Sequence, residues 1–280
     1  MIARVRSDFR LMGVVNVTPD SFSDGGAFLD ADAAIAQGRR LAAEGADLLD
    51  IGGESTRPRA EPVTAEQELA RVLPVITALA DDDPAATISI DTSKLAVAEA
   101  ALDAGARYVN DVTAFRAEPE LAGLVADRGV DCCLMHMLGE PRTMQDDPRY
   151  DDVVSDVKAF LEERLAFAVA AGIDEARVAL DPGIGFGKTV GHNLELVRRL
   201  DEIVAIGRPV VIGTSRKSFL GRITGRDVTE RGPATLATCV LAYLNGARVF
   251  RVHEVASTRD ALLVTAATVT GKWSSTTTAR

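Results

Sequence analysis

The chain has 280 residues, of which 47% are hydrophobic and 26% charged, and its formal net charge is −10. This acidic balance argues against general binding to nucleic acid or to an anionic membrane, and the aromatic content of 5% argues against a groove that stacks bases. A length of this order suits one barrel of alternating strands and helices, which commonly uses about 250 residues as a single domain.

The sequence also bears on the cellular compartment. No stretch approaches the roughly 18 consecutive apolar residues of a membrane span, and the apolar run 11–17 is too short for the core of a signal peptide. The cysteines are Cys132, Cys133 and Cys239, an odd set without a CxxC pair. Reduced, buried thiols explain this set better than a disulfide framework does. We therefore expect a cytoplasmic protein.

Short runs rich in Val, Ile and Leu alternate along the chain with Ala-rich stretches of helical period. Strands are predicted at 11–17, 47–52, 87–91, 107–112, 131–137, 177–181, 209–213 and 248–253. Helices are predicted at 30–44, 64–80, 94–104, 119–128, 151–171, 191–205, 233–245 and 255–270. Eight regular units favour an α/β fold with a single closed (β/α)8 TIM barrel, over residues 1–270, rather than an open doubly wound sheet. The polar segment 271–280 is predicted to be a flexible C-terminal tail.

Polar residues follow the predicted strands, at the end of a barrel that carries active sites. These polar ends are Asn16, residues 54–57, Asp91, Asn110, Asp111, His136, Asp181, residues 214–217, Arg251 and His253. Residues two apart on a strand share a face, so Arg251 and His253 point the same way. Eight polar ends that converge on one mouth predict a site there. Segments 18–26 and 54–62, rich in Gly, Pro and hydroxyl residues, are predicted to be lids over it.

Three of these residues suit recognition of a polar heterocycle. The glycine-rich segment that begins at Asp181 has neither Walker A nor GxGxxG spacing. The Asp181 carboxylate either caps this turn or accepts two parallel N–H bonds from an amino-pyrimidinone edge, and the second interpretation is preferred. Asp91 is free for the mouth if Thr92 or Ser93 caps the next helix. Asn110 is a turn residue or an inward amide that offers both a donor and an acceptor.

Cations gather on the same loops despite the negative net charge. For Arg59 and Arg216, taken singly, a solvated surface position is the simpler interpretation. Arg251 and His253 share the inward face of the eighth strand, and barrels often bind phosphate near strands seven and eight. We therefore expect an anionic, phosphorylated substrate.

Metal ligation is weakly indicated. The three histidines have no zinc-type spacing, and His192, which precedes a predicted helix, is expected at the surface or in a cap. A Mg2+ ion held mainly by phosphate oxygens and waters needs one or two protein oxygens, and Asn16 could supply one. The serines show no arrangement of base and orienting group that would make a nucleophile.

Taken together, these residues resemble the dihydropteroate synthase family. The matching stretches are 12–26, 50–58, 89–92, 109–112, 135–136, 181–188, 215–218 and 251–253, in order across residues 10–265. The resemblance implies that 6-hydroxymethyl-7,8-dihydropterin diphosphate condenses with p-aminobenzoate to give dihydropteroate and pyrophosphate. It also implies a dissociative departure of diphosphate, a Mg2+ cofactor, a site of the kind that sulfonamides target, and a homodimer.

The resemblance carries residue roles as well. It assigns the pterin to Asp91, Asn110, Asp181 and Lys217, and the diphosphate with its Mg2+ to Asn16, Arg251 and His253. It assigns p-aminobenzoate to Phe22, Thr56, Pro58, Lys217 and Ser218, and it adds Arg57, Met135, Phe186 and Gly213 to the substrate-binding set. The catalytic residues would be Asp91, Lys217, Arg251 and His253.

The chain departs from the family pattern at three places. Arg59 stands where Gly is common, which could alter lid flexibility; Glu254 stands where Asp is usual; and residues 112–116 replace a commoner Ser-Gly-Gly turn. Two alternatives remain: a corrinoid-linked methyltransferase that uses methyltetrahydrofolate, and a pterin-binding paralogue without catalysis. Residues 215–218 with Arg251 and His253 count against the methyltransferase, and the intact site residues count against the inactive paralogue.

Overall fold

A computed structural model describes residues 8–18, 27–56, 60–82 and 87–272, with the side chains of 27–30 left out. Most of the predicted lid 18–26, residues 57–59 of the second predicted lid, and the predicted tail beyond residue 272 lie outside these residues. Within them, no helix is long and apolar enough to cross a membrane.

The eight predicted strands are present and lie close to their predicted bounds. They are β1 (Arg10–Asn16), β2 (Leu48–Gly52), β3 (Thr87–Asp91), β4 (Tyr108–Asp111), β5 (Asp131–Met135), β6 (Val178–Asp181), β7 (Val211–Ile212) and β8 (Val249–Val252). All neighbouring strands pair in parallel, in the order β6-β5-β4-β3-β2-β1-β8-β7. A bridge between Leu180 and Val210 joins β6 to the start of β7 and closes the barrel.

The helices cover the outside of this barrel. They are α1 (Ala27–Ala43), α2 (Ala65–Asp82), α3 (Leu95–Asp103), α4 (Glu120–Arg128), α5 (Val153–Ala170), α6 (Val190–Arg198), α7 (Leu200–Val204), α8 (Ser218–Thr224), α9 (Gly232–Leu244) and α10 (Val255–Thr270). The helix predicted at 191–205 is two helices, because Arg199 leaves helical geometry at φ −108° and ψ 30°. The short helix α8 was not predicted.

Strand periodicity divides the core into an outer and an inner part. Every second residue of the strands packs under the helices, in one large apolar cluster that includes Val15, Ile51 and Ile90. The alternate residues point into the barrel. Its lower part is filled by Met12, Leu48, Tyr108, Cys133, Ala179, Val211 and Val249. Two residues further along β2, β4, β6 and β8, the same inward face carries the polar residues Asp50, Asn110, Asp181 and Arg251.

Candidate active site

A cleft of about 370 Å3 opens at the carboxyl ends of the strands. Nine of the predicted site residues line it: Thr56, Asp91, Asn110, Met135, Asp181, Phe186, Gly213, Lys217 and Arg251. Val112, Gly183 and Ile184 complete its wall. Parallel strands bring these residues together because their inward positions reach the same level of the barrel.

Asp181 is the last residue of β6. One of its carboxylate oxygens binds the turn that follows, and the other faces the cleft. Its Oδ1 accepts a hydrogen bond from the backbone N–H of Gly183 at 2.6 Å, so the capping interpretation holds for one oxygen. Its Oδ2 lies on the side of Gly213, a cleft residue. Burial raises the pKa of Asp181, while the Gly183 N–H and the Lys217 charge act in the opposite direction. One carboxylate oxygen is therefore available to a ligand.

Asp91 ends β3 and pairs with an arginine. Arg251 Nη2 donates to Asp91 Oδ2 at 2.6 Å. Thr92 Oγ1 accepts from the backbone N–H of Lys94, and Glu118 accepts from the N–H of Leu95. These two side chains bind N–H groups at the start of α3, so the Asp91 carboxylate is not used there. Burial raises the pKa of Asp91 to about 7, although the Arg251 charge opposes the rise. Asp91 thus faces the cleft as predicted.

Asp50, which the residue patterns did not single out, lies beneath these groups. It sits in the middle of β2 and is 0% exposed. Its Oδ1 accepts from Ser89 Oγ at 2.6 Å, and its Oδ2 accepts from Asn110 Nδ2 at 3.0 Å and from Arg251 Nε at 2.6 Å. A carboxylate at an inward position of an otherwise apolar strand was the signal available in the sequence.

Lys217 closes one side of the cleft. Its Nζ lies 4.0 Å from the centroid of the Phe186 ring, a cation–π contact. Its aliphatic stem passes Gly185, where a Cβ would come within 3.0 Å of Lys217 Cδ. Burial and then the Arg251 charge lower the pKa of Lys217 to about 8. Lys217 and Phe186 therefore form one wall that offers both an aromatic face and a cation.

The segment 183–187, between β6 and α6, is held in place by side chains from other elements. Glycines 183, 185 and 187 have φ of +67°, +84° and +62°, which glycine adopts without strain. Gln145 Nε2 donates to the carbonyl of Gly185 at 2.7 Å, and Tyr150 Oη to that of Gly187 at 2.8 Å. A Cβ at Gly183 would lie 1.8 Å from the carbonyl oxygen of His136. The wall that carries Phe186 is thus fixed before any ligand arrives.

Lys188 anchors the end of this segment. It is 3% exposed, and its Nζ contacts His136 Nδ1 at 2.8 Å and the Phe186 carbonyl at 3.0 Å. Burial lowers the pKa of Lys188 to about 7, and burial together with the Lys188 charge lowers the pKa of His136 to about 2. His136, at the polar end of β5, is therefore a neutral acceptor that holds a loop.

The diphosphate side of the predicted site lies at the ends of β1 and β8. His253 Nδ1 is 2.9 Å from Ser215 Oγ, which also accepts from the His253 backbone N–H at 3.3 Å. Asn16 ends β1 half-buried on the inward face. Its amide oxygen is a hard, neutral donor of the kind that Mg2+ takes. Within the described ranges, no three His, Cys, Asp or Glu side chains cluster as a metal site.

Ser218 begins α8 and lines a second cavity of about 900 Å3 beside the first. The segment 183–188 separates the two: Gly183 and Phe186 line the first, and Gly185 and Lys188 line the second. Ser218 and Lys217 are neighbours in the chain, so adjacent residues line the two cavities.

Three predicted substrate residues, Phe22, Arg57 and Pro58, lie outside the residues that the structure describes. Arg59, one of the departures from the family pattern, lies outside them as well. Thr56 is described and lines the cleft.

Several other polar residues have structural roles. Arg216 is half-buried and pairs with Glu254 at 2.9 Å, so it is held by an ion pair rather than solvated alone. His192, which was expected at the surface or in a cap, takes part in a cap, since His192 and Thr189 form a reciprocal capping box at α6. Asp111 points away from the cleft: its carboxylate accepts from the N–H groups of Thr113 and Phe115.

Comparison with known proteins defines the class. The family model described as pterin binding enzyme matches residues 12–253, nearly the whole barrel. The chain belongs to the family of pterin binding enzymes.

Its relatives are, more particularly, dihydropteroate synthases, which confirms the resemblance found in the motifs. The dihydropteroate synthase of Neisseria meningitidis serogroup C is 47% identical over 259 residues, 90% of each chain. That of Escherichia coli K12 is 42% identical over 94% of this chain and 92% of its own. The Xanthomonas albilineans dihydropteroate synthase with 4-aminobenzoic acid superposes with a TM-score of 0.87 at 50% identity, covering 93% of both chains. The same organism's enzyme in complex with 7,8-dihydropteroate gives a TM-score of 0.85 at 46% identity, covering 95% of this chain and 97% of its own.

Proposed function

We propose that this protein is a dihydropteroate synthase, which joins 6-hydroxymethyl-7,8-dihydropterin diphosphate to p-aminobenzoate and releases pyrophosphate. The observation that carries the proposal is the composition of the cleft: Asp91, Asn110 and Asp181 offer acceptors at its floor, while Arg251 lies beside them. This combination suits a flat heterocycle with N–H donors that carries an anionic substituent.

The pterin is proposed to lie over the ends of β3, β4 and β6. Asp181 Oδ2 would accept from its amino-pyrimidinone edge, and Asn110 would present its amide oxygen. The Phe186 ring and the Lys217 stem would pack on one face. These hydrogen bonds would fix the orientation of the ring, because each acceptor lies on a strand whose register is fixed by the barrel.

The reaction is proposed to begin with departure of the diphosphate. The methylene C–O bond breaks, its electron pair leaves with pyrophosphate, and the Arg251 guanidinium and the His253 ring stabilise the growing negative charge. The Asp91 carboxylate stabilises the cationic pterin that remains. The arylamine nitrogen then forms the C–N bond and loses a proton. No protein nucleophile takes part in this sequence.

A Mg2+ ion is proposed at the diphosphate side, held by the Asn16 amide oxygen together with phosphate oxygens. When bound, such an ion supplies positive charge to the leaving group. Arg251 and His253 remain the protein groups that orient the diphosphate, and Asp91 keeps Arg251 turned toward it.

The p-aminobenzoate is proposed to enter beside Lys217, Ser218 and Thr56. Phe22, Arg57 and Pro58, which lie outside the described residues, are proposed as its further contacts. Support comes from the positions of Lys217, which lines the first cavity, and its chain neighbour Ser218, which lines the second. The amine would then approach the pterin from the open side of the cleft. A sulfonamide would compete for the same position.

A direct assay tests this function. Purified protein with Mg2+ should form dihydropteroate and pyrophosphate in equal amounts only when both substrates are present. Arg251→Ala should remove most of this activity, whereas Arg248→Ala, at the opposite end of β8 and paired with Asp8, should leave it unchanged. Pterin binding without product would favour the inactive paralogue, and methyl transfer from methyltetrahydrofolate would favour the methyltransferase.

We also propose a homodimer that works in the cytoplasm. Large apolar side chains are exposed on α9 and α10, among them Leu241 (51%), Leu244 (54%) and Val264 (67%), and the two helices pack against each other. The three cysteines are buried and unpaired, as expected in a reducing compartment. Sedimentation velocity tests the dimer, and Leu244→Glu should weaken it.

A further inference from the structure

Asp50 joins the two halves of the proposed site from below. It is opposite Ser89 in the pairing of β2 with β3, two residues before the level of Gly52 and Asp91. Its carboxylate is fully buried and accepts three side-chain hydrogen bonds, from Ser89, Asn110 and Arg251. Two of these donors are proposed substrate residues, one for the pterin and one for the diphosphate.

The contact with Asn110 decides which way the amide faces. An ionised carboxylate only accepts hydrogen bonds, so Asn110 must turn its NH2 group toward Asp50. Its carbonyl oxygen is then turned away from Asp50. Since Asn110 lines the cleft, the amide presents an acceptor to a ligand. Without Asp50, either orientation of the amide would be accessible.

The contact between Asp50 and Arg251 decides which N–H groups of the guanidinium remain available to a ligand. Nε binds Asp50 and Nη2 binds Asp91, each at 2.6 Å. Two carboxylates on adjacent strands thus fix the guanidinium plane. Among the described residues, Nη1 has no hydrogen-bond acceptor, so it is the nitrogen left for an incoming anion. A single tether at Asp91 would allow the plane to rotate about that bond.

We infer that Asp50 is a positioning residue, which orients Asn110 for the pterin and Arg251 for the diphosphate through one buried carboxylate. The inference rests on the proposed function. It predicts that loss of the Asp50 charge weakens both recognition tasks together, although Asp50 touches neither substrate.

Asp50→Asn is the principal variant, because it keeps the shape and removes the charge. We expect kcat/KM for the pterin diphosphate to fall about hundredfold, the scale of a 1 Å misplacement in an active site. Affinity for a pterin without diphosphate and for pyrophosphate alone should both decrease. Ser89→Ala, which removes one tether of Asp50 without touching Asn110 or Arg251, should lower kcat/KM several-fold. Ser155→Ala, on the outer helix α5, serves as the control.

The pH profile distinguishes positioning from general support of the fold. The charged groups that act on Asp91 come from five elements or their following loops: Asp50, Arg251, Glu68, Asp111 and Lys217. The Asp50 charge raises the pKa of Asp91 and the Arg251 charge lowers it. Asp50→Asn removes the charge that raises the pKa of Asp91. This pKa should therefore fall, and the acid limb of the kcat/KM profile should move to lower pH. A purely structural role would lower activity without moving this limb.

The outcomes separate the inference from the proposed function. Wild-type protein that forms no dihydropteroate would overturn the function, whatever Asp50 does. Active wild type with an Asp50→Asn variant of unchanged kcat/KM and unchanged acid limb would overturn the inference. If Asp50→Asn fails to fold by circular dichroism, Ser89→Ala decides: activity equal to wild type would overturn the inference, and a several-fold loss with lower affinity for both probes would support it.

Discussion

Lys188→Met tests how firmly the wall between the two cavities is held. The buried ammonium donates to His136 Nδ1 and to the carbonyl of Phe186. Methionine fills a similar volume but leaves both acceptors without a donor, and each orphaned buried acceptor costs about 1–3 kcal/mol. Removal of a buried charge offsets part of this loss. We therefore expect the free energy of unfolding to fall by about 2–3 kcal/mol at pH 7.

The pH dependence of this loss has a definite sign. Burial lowers the pKa of Lys188 from 10.5 to about 7, and the Asp181 charge opposes the shift. Between these values the unfolded chain binds a proton at this lysine that the folded protein does not, so this group makes the wild type more stable as pH rises. Methionine does not titrate. The stability gap between wild type and variant should therefore widen from pH 7 upward, by at most about 1.4 kcal/mol per pH unit.

Urea unfolding followed by circular dichroism, at several values between pH 6.5 and 9, measures this gap. Lys158→Met on α5 is the matched control, since its side chain is 34% exposed and lies 4.0 Å from Glu162; it should change stability by less than about 0.5 kcal/mol. A Lys188→Met gap that is constant or shrinks with rising pH would refute the reasoning. Wild-type stability in Lys188→Met would show that the two acceptors find other donors.

Other variants test single features of the site and its frame. Gly183→Ala places a Cβ 1.8 Å from the His136 carbonyl oxygen at φ +67°, so it should lower the free energy of unfolding by more than about 3 kcal/mol. Gly129→Ala, at φ +58° with no atom within 4 Å, should lower it by only about 1 kcal/mol. Equal losses for the two variants in urea unfolding would contradict this prediction. Thr189→Ala removes the cap of α6 and should lower stability by about 1 kcal/mol, whereas Thr189→Ser should not. Asp181→Ala should abolish pterin binding in calorimetry while the fold persists, and retained affinity would contradict the role of its Oδ2.

The barrel could be predicted because its strands are short, apolar and regularly spaced. The predicted strand 87–91 agrees with β3 to the residue, since Thr87–Asp91 is a short apolar run that ends at the polar residue Asp91. The division between α6 and α7 could not be predicted, because Arg199 is an ordinary helix former by type. It leaves helical geometry where its guanidinium reaches Asp152, at the start of α5, a contact set by tertiary packing.

Strand alternation predicts which residues of the site point inward, but it does not predict which residues they contact. Alternation identifies inward residues, so it found Asp91, Arg251 and Asp181 at the strand ends without knowledge of their neighbours. Partners across strands depend on register, which a single sequence does not reveal. The pairing of Gly52 with Asp91 and of Asp50 with Ser89 places one carboxylate at the surface of the cleft and the other beneath it. Arg251 can bind both at once because they lie two residues apart in depth, and its charge is therefore oriented before an anion arrives.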